Sequence, residues 1–447
     1  MDPSTHHPGL SRRRLLGAAA GLGALAAGAA AGCAAPSGID GGKTGLRYWH
    51  LFGGGDGVNM AALIDAFRAS HPDIDMEAAQ LEWGAPYYTK LGMAGAGGRA
   101  PEIAILHISR LAGFAPGRLL DPFDLDLLAE HGVTEDDFPP AMWSRGTVDG
   151  QQYAIPLDTH PQVLYFNTEI CEEAGLLDGD GRLRPIEGPD AFVEAMRAAG
   201  EVTGEPGLVF ETLGADSVGP WRVFATFYSQ TGGTYLDEDA TRIVMDDDKA
   251  LRAMEYMQML TSEGLATRQV DYQGTVGLFA SGNHGFFLNG EWEVSTFTNT
   301  GLPFSMAPVP NIFGRPSTQA DCHAFVLPHQ TNRGGATNEA AHAFAAWMFK
   351  NSADWGAGGH VPAYLPTLEE PDYLSLEPQS EYRSVIDDVA LDPPAWFAGS
   401  ASVMQLELGA VLSGVLTGSR SPRGALDEFK SRLQELLDTP SPFGETA

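Results

Sequence analysis

An α/β fold with room for two domains is the class this sequence predicts, and three observations predict it. From residue 46 short apolar strands alternate with amphipathic helices. The third strand is a nearly unbroken apolar run, as a parallel strand buried on both faces requires. About 400 residues remain once an N-terminal export segment is set aside, enough for two substantial cores.

LRYWH (46–50) reads as a strand, and 58–69 as a helix whose Met60, Leu63, Ile64 and Phe67 share one face. Ile74, Met76 and Ala78 alternate as a second strand, a helix begins near Pro86, and EIAILH (102–107) is the buried third strand. That β-α-β-α-β opening sets the class. The middle then changes character. GQQYAIPLDTHPQVLYFN (150–167) reads as two short strands either side of Asp158-Thr159-His160-Pro161, and helices follow at 189–199, 219–230 and 247–262. Leu251, Met254, Met257 and Leu260 on the last of these read as core packing, not as a cofactor stripe. Strands return at 285–289, 304–310 and 322–328. A helix at 338–350 turns Phe344, Trp347 and Met348 inward, and another at 423–438 carries Leu426, Phe429, Leu433 and Leu436.

The first 33 residues are not part of the fold. Ser11-Arg12-Arg13-Arg14-Leu15-Leu16 precedes an uncharged Ala/Gly/Leu stretch ending Ala30-Ala31-Gly32-Cys33, the form of an export signal with a small-residue cleavage site. Cleavage before Cys33 leaves the N-terminal cysteine that bacterial lipoproteins modify with lipid, although Ala30 stands where a leucine is usual. Residues 34–45 read as a flexible tether. A formal net charge of −31 excludes nucleic acid as a natural partner and points to solubility. Cys171 and Cys322 read as two buried thiols, with a disulfide open in an exporting compartment.

The stretch YWHLFGGGDGVNM (48–60) poses the functional question. It has no lysine for a phosphate-binding loop and lacks the third glycine of a dinucleotide fingerprint. It is a strand-to-helix turn in which Asp56 or Asn59 could cap the helix. Ligands of open α/β sheets bind beyond the carboxyl ends of the strands, where this turn lies. Trp49 and Phe52 offer flat apolar faces beside the Asp56 carboxylate. A sugar asks for that combination, since it carries an apolar C–H face and an edge of hydroxyls. The pattern recurs: Trp83 follows the second strand, His107 ends the third, and Asn289-Gly290-Glu291-Trp292 ends a strand in the other half. No G-x-S-x-G, H-E-x-x-H, C-x-x-C or closely spaced histidine pair occurs in the folded body, so neither a metal nor a cofactor is expected. Leu177-Asp178-Gly179-Asp180-Gly181 reads as an acidic turn, because Arg182 and Pro189 fall at later calcium-ligand positions. Paired carboxylates remain open, as Asp56, Asp158 and Glu291 could converge for glycoside hydrolysis.

In order and spacing, YWHLFGGGDG, PYYTKLGMAGAGGRAPEIAILH (86–107), GQQYAIPLDTHPQVLYFN, GFFLNGEWE (285–293) and GHVPAYLP (359–366) resemble the family 1 extracellular solute-binding proteins of bacterial carbohydrate ABC transporters. The resemblance runs over nearly the whole mature chain. It implies a two-lobed, periplasmic-binding-protein-like α/β fold with a hinge and an interlobe ligand cleft. One lobe would combine 46–158 with 317–350, the other 159–316 with 351–447, with crossings near Asp158–Pro161, Pro310–Pro316 and Asn351. It further implies stacking by Trp49, Phe52, Trp83, Trp221, Trp292 and Tyr364. Hydrogen bonding would come from Asp56, His107, Asp158, His160, Asn289, Glu291, His323 and His360. Bland roles stay open for Trp221 in its helix core, His323 as a strand cap and Tyr364 in a turn.

The expected ligand is a neutral mono- or oligosaccharide, because the candidate site is acidic and Lys90 and Arg110 are its nearest cations. The expected partners are a pair of ABC permease subunits, with the chain a monomer held to the membrane by its lipid alone. Alternatives are a secreted glycoside hydrolase, an adhesin, or a binding protein for a polyol or a glycerophospho compound.

Overall fold

The computed structural model describes residues 42–214 and 218–442. The export segment, Cys33 and residues 34–41 of the tether lie outside the described residues, and the end of the tether, Thr44 and Gly45, is already part of the first strand. Two sheets organise the rest. In the first, Thr44–His50 lies between Ile74–Gln80 and Ile103–His107, all parallel. His323–Pro328 then runs antiparallel to Ile103–His107 and also pairs with Leu120–Asp121 and Ala154–Pro156. The helices Gly54–Ser70, Ala85–Ala96 and Gly335–Lys350 flank this sheet. They close a core around Tyr48, Phe67, Ile105, Phe325 and Phe344.

The second sheet is built on Asp158–Asn167, which pairs with Phe286–Gly290 and Phe304–Pro308 along its second half. Its helices include Pro189–Thr203, Gly219–Gln230, Asp247–Ser262, Val403–Thr417 and Pro422–Asp438. Met254, Met257, Leu260, Phe429 and Leu433 are buried in its core, while Leu251 and, in the first lobe, Trp347 are only half-buried.

Three local expectations need correction. The helix after the first strand begins at Gly54, so the glycine run is its first turn and not a loop before it. The Asp158–Pro161 segment does not interrupt two strands. It is the first half of one continuous strand, because Thr159 and Asp158 pair with Val361 and Pro362 while His160 and Pro161 pair with Asp321 and Ala320. The second passage between the sheets falls at Cys322, not at Pro310–Pro316, since Thr318–Asp321 is still bound to the second sheet and His323 already belongs to the first. Cys322 and Cys171 are both buried and unpaired.

Beside the central strands of the first sheet, Glu102 is buried and accepts from Arg47, whose guanidinium approaches to 2.8 Å, and from Gln330 at 2.9 Å. Burial pushes the Glu102 carboxyl up, but the hydrogen bonds from Arg47 and Gln330 outweigh it and hold the group below its usual value. Its contribution to stability is therefore present above the ordinary carboxylate pKa and is lost as pH falls through the folded value. Arg47→Ala strands the carboxylate and is expected to lower stability by on the order of 2–4 kcal/mol. Urea unfolding at pH 7 measures this, and a loss under 1 kcal/mol would contradict the role given to the pair.

Candidate ligand-binding site

A cavity of about 450 Å³ opens between the two sheets at their carboxyl-terminal ends. Eight of the sequence candidates line it: Phe52, Asp56, Trp83, His107, His160, Trp292, His323 and His360. Phe52 through Asp56 arrive there because the first strand ends at His50 and the helix starts at Gly54. Gly53, Gly54 and Gly55 bring the amino end of that helix to the cavity wall, where its positive dipole end favours acceptor oxygens. Asp56 sits in this first turn, and neither it nor Asn59 caps the helix, whose N-cap is Gly53. Instead Asp56 Oδ2 lies 3.2 Å from Nε2 of His360.

Trp292 comes from the second lobe, on the turn that follows Phe286–Gly290. Its ring lies flat over Gly290, where a Cβ would fall 1.8 Å from Cζ3, so only glycine leaves the ring this seat. Its Nε1 donates to Tyr272 Oη at 2.6 Å, and Tyr272 in turn donates to Glu293. The Arg222 guanidinium covers its ring at 4.7 Å. Trp83, about one-third exposed, faces the cavity from the first lobe.

Beneath the cavity the strand crossings bring distant side chains together. His107 and His323 are register partners in the first sheet, and His160 and Asp321 are partners in the second. Asp158 is fully buried, and its two oxygens lie 3.1 Å from His160 Nδ1 and 2.8 Å from His323 Nδ1. The His323 backbone N–H and the Trp355 indole also donate to it, at 2.9 and 2.7 Å. Burial alone would raise the Asp158 carboxyl, but His323, His360 and His160 hold it well below the usual range. An ionised carboxylate only accepts, so the Nδ1 atoms of His160 and His323 carry the protons. Burial, reinforced by His323, lowers His160 to about 3 and pushes His107 well down, so both rings are neutral at pH 7.

His360 behaves oppositely. Burial pulls it down, yet Asp56, Asp158 and Glu291 surround it and keep it protonated well above the usual histidine range. Its Nδ1 is 2.8 Å from Glu291 Oε1, and its ring stacks on Trp355 with centroids 4.4 Å apart. These ion pairs are short but poorly aligned, so both His360 nitrogens and both Glu291 oxygens lack a hydrogen-bond partner. Burial lifts Glu291 to about 7, His360 offsetting part of the rise.

Six candidates do not line the cavity. Asp158 and Glu291 are buried below its floor. Asn289 is buried behind Tyr272, its amide 3.5 Å from that hydroxyl. Trp49 points to the opposite face of its strand from His50 and lies under Lys90 at 4.9 Å. Tyr364 packs in the first core against Phe138 and Phe349. Trp221 is wholly buried in the second core, stacked on Phe429, with its indole donating to Asp392 at 3.1 Å. Its helix instead turns the neighbouring Arg222 into the cavity. Arg222, not Lys90 or Arg110, thus joins the protonated His360 as a cation of the site, and Arg110 lies over Tyr88. Sequence reasoning also missed Glu211, Tyr272 and Glu293, all lining residues. Glu293 was within reach, two residues beyond Glu291 in the same turn, whereas Glu211 and Tyr272 carry no local signal.

Two α/β lobes joined by three crossings, with an aromatic and polar cleft between them, define a two-lobed binding protein. A family model described as bacterial extracellular solute-binding protein matches residues 54–355, and the chain belongs to that family. It is 26% identical over 218 residues to an arabinooligosaccharide-binding protein of Halalkalibacterium halodurans, a match covering 48% of this chain and 45% of that protein. It is 21% identical over 403 residues to a maltotriose-binding protein of Pyrococcus abyssi, covering 85% and 76% of the two. The chain thus spans a little under half the length of the first of these relatives. The GacH receptor of Streptomyces glaucescens, known unliganded and with acarbose, matches with a TM-score of 0.73 at 20% identity over 88% of this chain and 98% of that one. The two-lobed solute-binding fold is common to both.

The Trp221 contact yields a pH test. Burial, with Asp321 nearby, raises Asp392 to about 6 despite donors from Gln405 and Trp221. The native state therefore keeps this proton to higher pH than the unfolded chain, and stability falls as pH rises from about 4 to about 6, by roughly 3 kcal/mol at most. Asp392→Asn is expected to flatten that slope in thermal melts across pH 4–7. Equal slopes in the two proteins would refute the assignment.

Proposed function

We propose that this chain is the carbohydrate-capturing component of an ABC importer, closing around a neutral mono- or oligosaccharide and handing it to a membrane permease pair. The observation that carries the reading is the cleft itself. Trp83 and Trp292 present aromatic faces from opposite lobes, and hydrogen-bonding groups from both lobes ring the space between them. A ligand contacting both lobes stabilises the closed state more than the open one, as capture by closure requires. The cavity volume falls in the range that encloses small ligands. Arg222 is matched by Asp56, Glu211 and Glu293 on the same walls, which favours a neutral ligand over a phosphorylated one.

A hydrolytic role for Asp158 and Glu291 is disfavoured by where those two carboxylates lie, while Asp56, Glu211 and Glu293 line the cavity. Asp158 and Glu291 are buried against histidines under the floor and have no path to a glycosidic bond. Trp49, Trp221, Asn289 and Tyr364 leave the proposed contact set, and Glu211, Arg222, Tyr272 and Glu293 enter it. The crossings at 157, 322 and 351–361 form the proposed hinge. Cys33 is the proposed site of lipid anchoring on the outer face of the membrane, and the folded chain acts as a monomer. Among the described residues no helix is long and apolar enough to cross a membrane.

Thermal melts against a panel of mono- and oligosaccharides, polyols and phosphorylated sugars test the reading. A ligand at 100 times its dissociation constant adds about 2.7 kcal/mol, a rise of several degrees. The rise is expected with a neutral sugar and is expected to vanish in Trp292→Ala and Asp56→Ala. No rise with any sugar, or release of reducing sugar during the assay, would defeat it. Separately, Cys33→Ser is expected to shift the protein from the membrane fraction of an exporting host to the medium, and unchanged membrane recovery would rule out the anchor.

A further inference from the structure

We propose that His160, His323, His360 and Asp158 form a four-ligand site for a divalent ion of the zinc class at the point where the three interlobe crossings meet. The inference does not rest on the sugar reading. Asp158 and His160 lie on the first crossing, His323 immediately follows the second, and His360 precedes the short strand of the third. One donor atom from each lies within 4.8 Å of all the others, and all four residues are buried.

The spacing fits the chemistry. Tetrahedral zinc with bonds of about 2.0–2.1 Å sets its ligand atoms about 3.3 Å apart. Here the Nδ1 atoms of His323 and His360 stand 2.8 and 3.6 Å from Oδ2 of Asp158, and that of His160 stands 3.1 Å from its Oδ1. Three imidazoles and one carboxylate suit a late first-row ion better than calcium or magnesium, which take oxygen ligands. The Trp355 indole and the His323 backbone N–H hold the carboxylate in place, the outer-shell support that metal sites use.

A second, independent observation points the same way. His360 is fully buried, and its Nδ1, 3.6 Å from Asp158 Oδ2, meets Glu291 Oε1 at 2.8 Å but out of hydrogen-bond alignment. Buried polar groups are rarely left so, and a cation at the centre of the cluster satisfies it. On binding, the Nδ1 protons of His160 and His323 move to Nε2 and the extra proton of His360 leaves, so uptake releases one proton and weakens as pH falls. An ion here ties together all three crossings and stiffens the hinge from the floor of the sugar cavity, which His160, His323 and His360 also line. The motif search expected no metal because the four ligands are scattered from 158 to 360, with no local motif.

The test is titration of the untagged, chelator-treated full-length protein with Zn²⁺ by calorimetry and with Co²⁺ by absorption. One tight equivalent is expected, with the strong visible bands of tetrahedral cobalt. His323→Gln is expected to abolish those bands, and Trp355→Phe, which removes an indole donor to Asp158, to weaken affinity roughly 10–100-fold. Absence of a stoichiometric Zn²⁺ site, or cobalt bands that survive His323→Gln, overturns the proposal. Repeating the sugar melts in chelator separates the two readings, since sugar binding is expected to persist without the ion.

Discussion

Asp158 is the constraint on which the rest of the architecture depends. A carboxylate removed wholly from water is strongly unfavourable unless donors replace its hydration shell. Here the donors come from His160 on its own strand, His323 on the second crossing and Trp355 on the approach to the third. Satisfying one buried charge therefore draws three distant stretches of chain to a point. The strand Asp158–Asn167 can pair with segments of both 318–321 and 361–362 only because that point is held. The hinge of the molecule is thus electrostatic at its centre and hydrogen-bonded along its strands.

Charge in the cleft is layered in consequence. At the floor, His360 is an imidazolium among Asp56, Asp158 and Glu291, and the neighbouring His107 and His160 stay neutral because burial opposes a second positive charge. Nearer the opening, Arg222 is set against acidic side chains and lies on the face of Trp292. The floor groups are engaged with one another. The wall groups, the helix amino end and the two indoles are the surfaces a ligand would meet.

Rigidity is distributed to suit this. Trp292 is pinned by Gly290 beneath it and Tyr272 at its edge, and Phe52 packs edge-on against His323 and beside Trp355. The aromatic surfaces are therefore preorganised within each lobe, while among the described residues the chain passes between the lobes at three crossings. Such a division lets a ligand's contacts go into closing the lobes and not into ordering side chains.

By itself the sequence determined the α/β class, the main strands of both sheets, seven of the longer helices though not Val403–Thr417, and the strand ends at which a ligand would be met. Those features are local: apolar periodicity, glycine turns and aromatic clusters act within a few residues. Thus Trp83, Trp292, Asp56 and His107 were legible. Only the tertiary structure decided which face each side chain takes and what it meets there. Trp49 and Trp221 look equivalent to Trp83 and Trp292 in sequence, yet strand alternation turns the first outward and helix phase turns the second into a core. Arg222 enters the cleft for the same helical reason. The convergence of His160, His323 and His360 on Asp158 could not be read locally, because strand pairing across more than 150 residues brings them together.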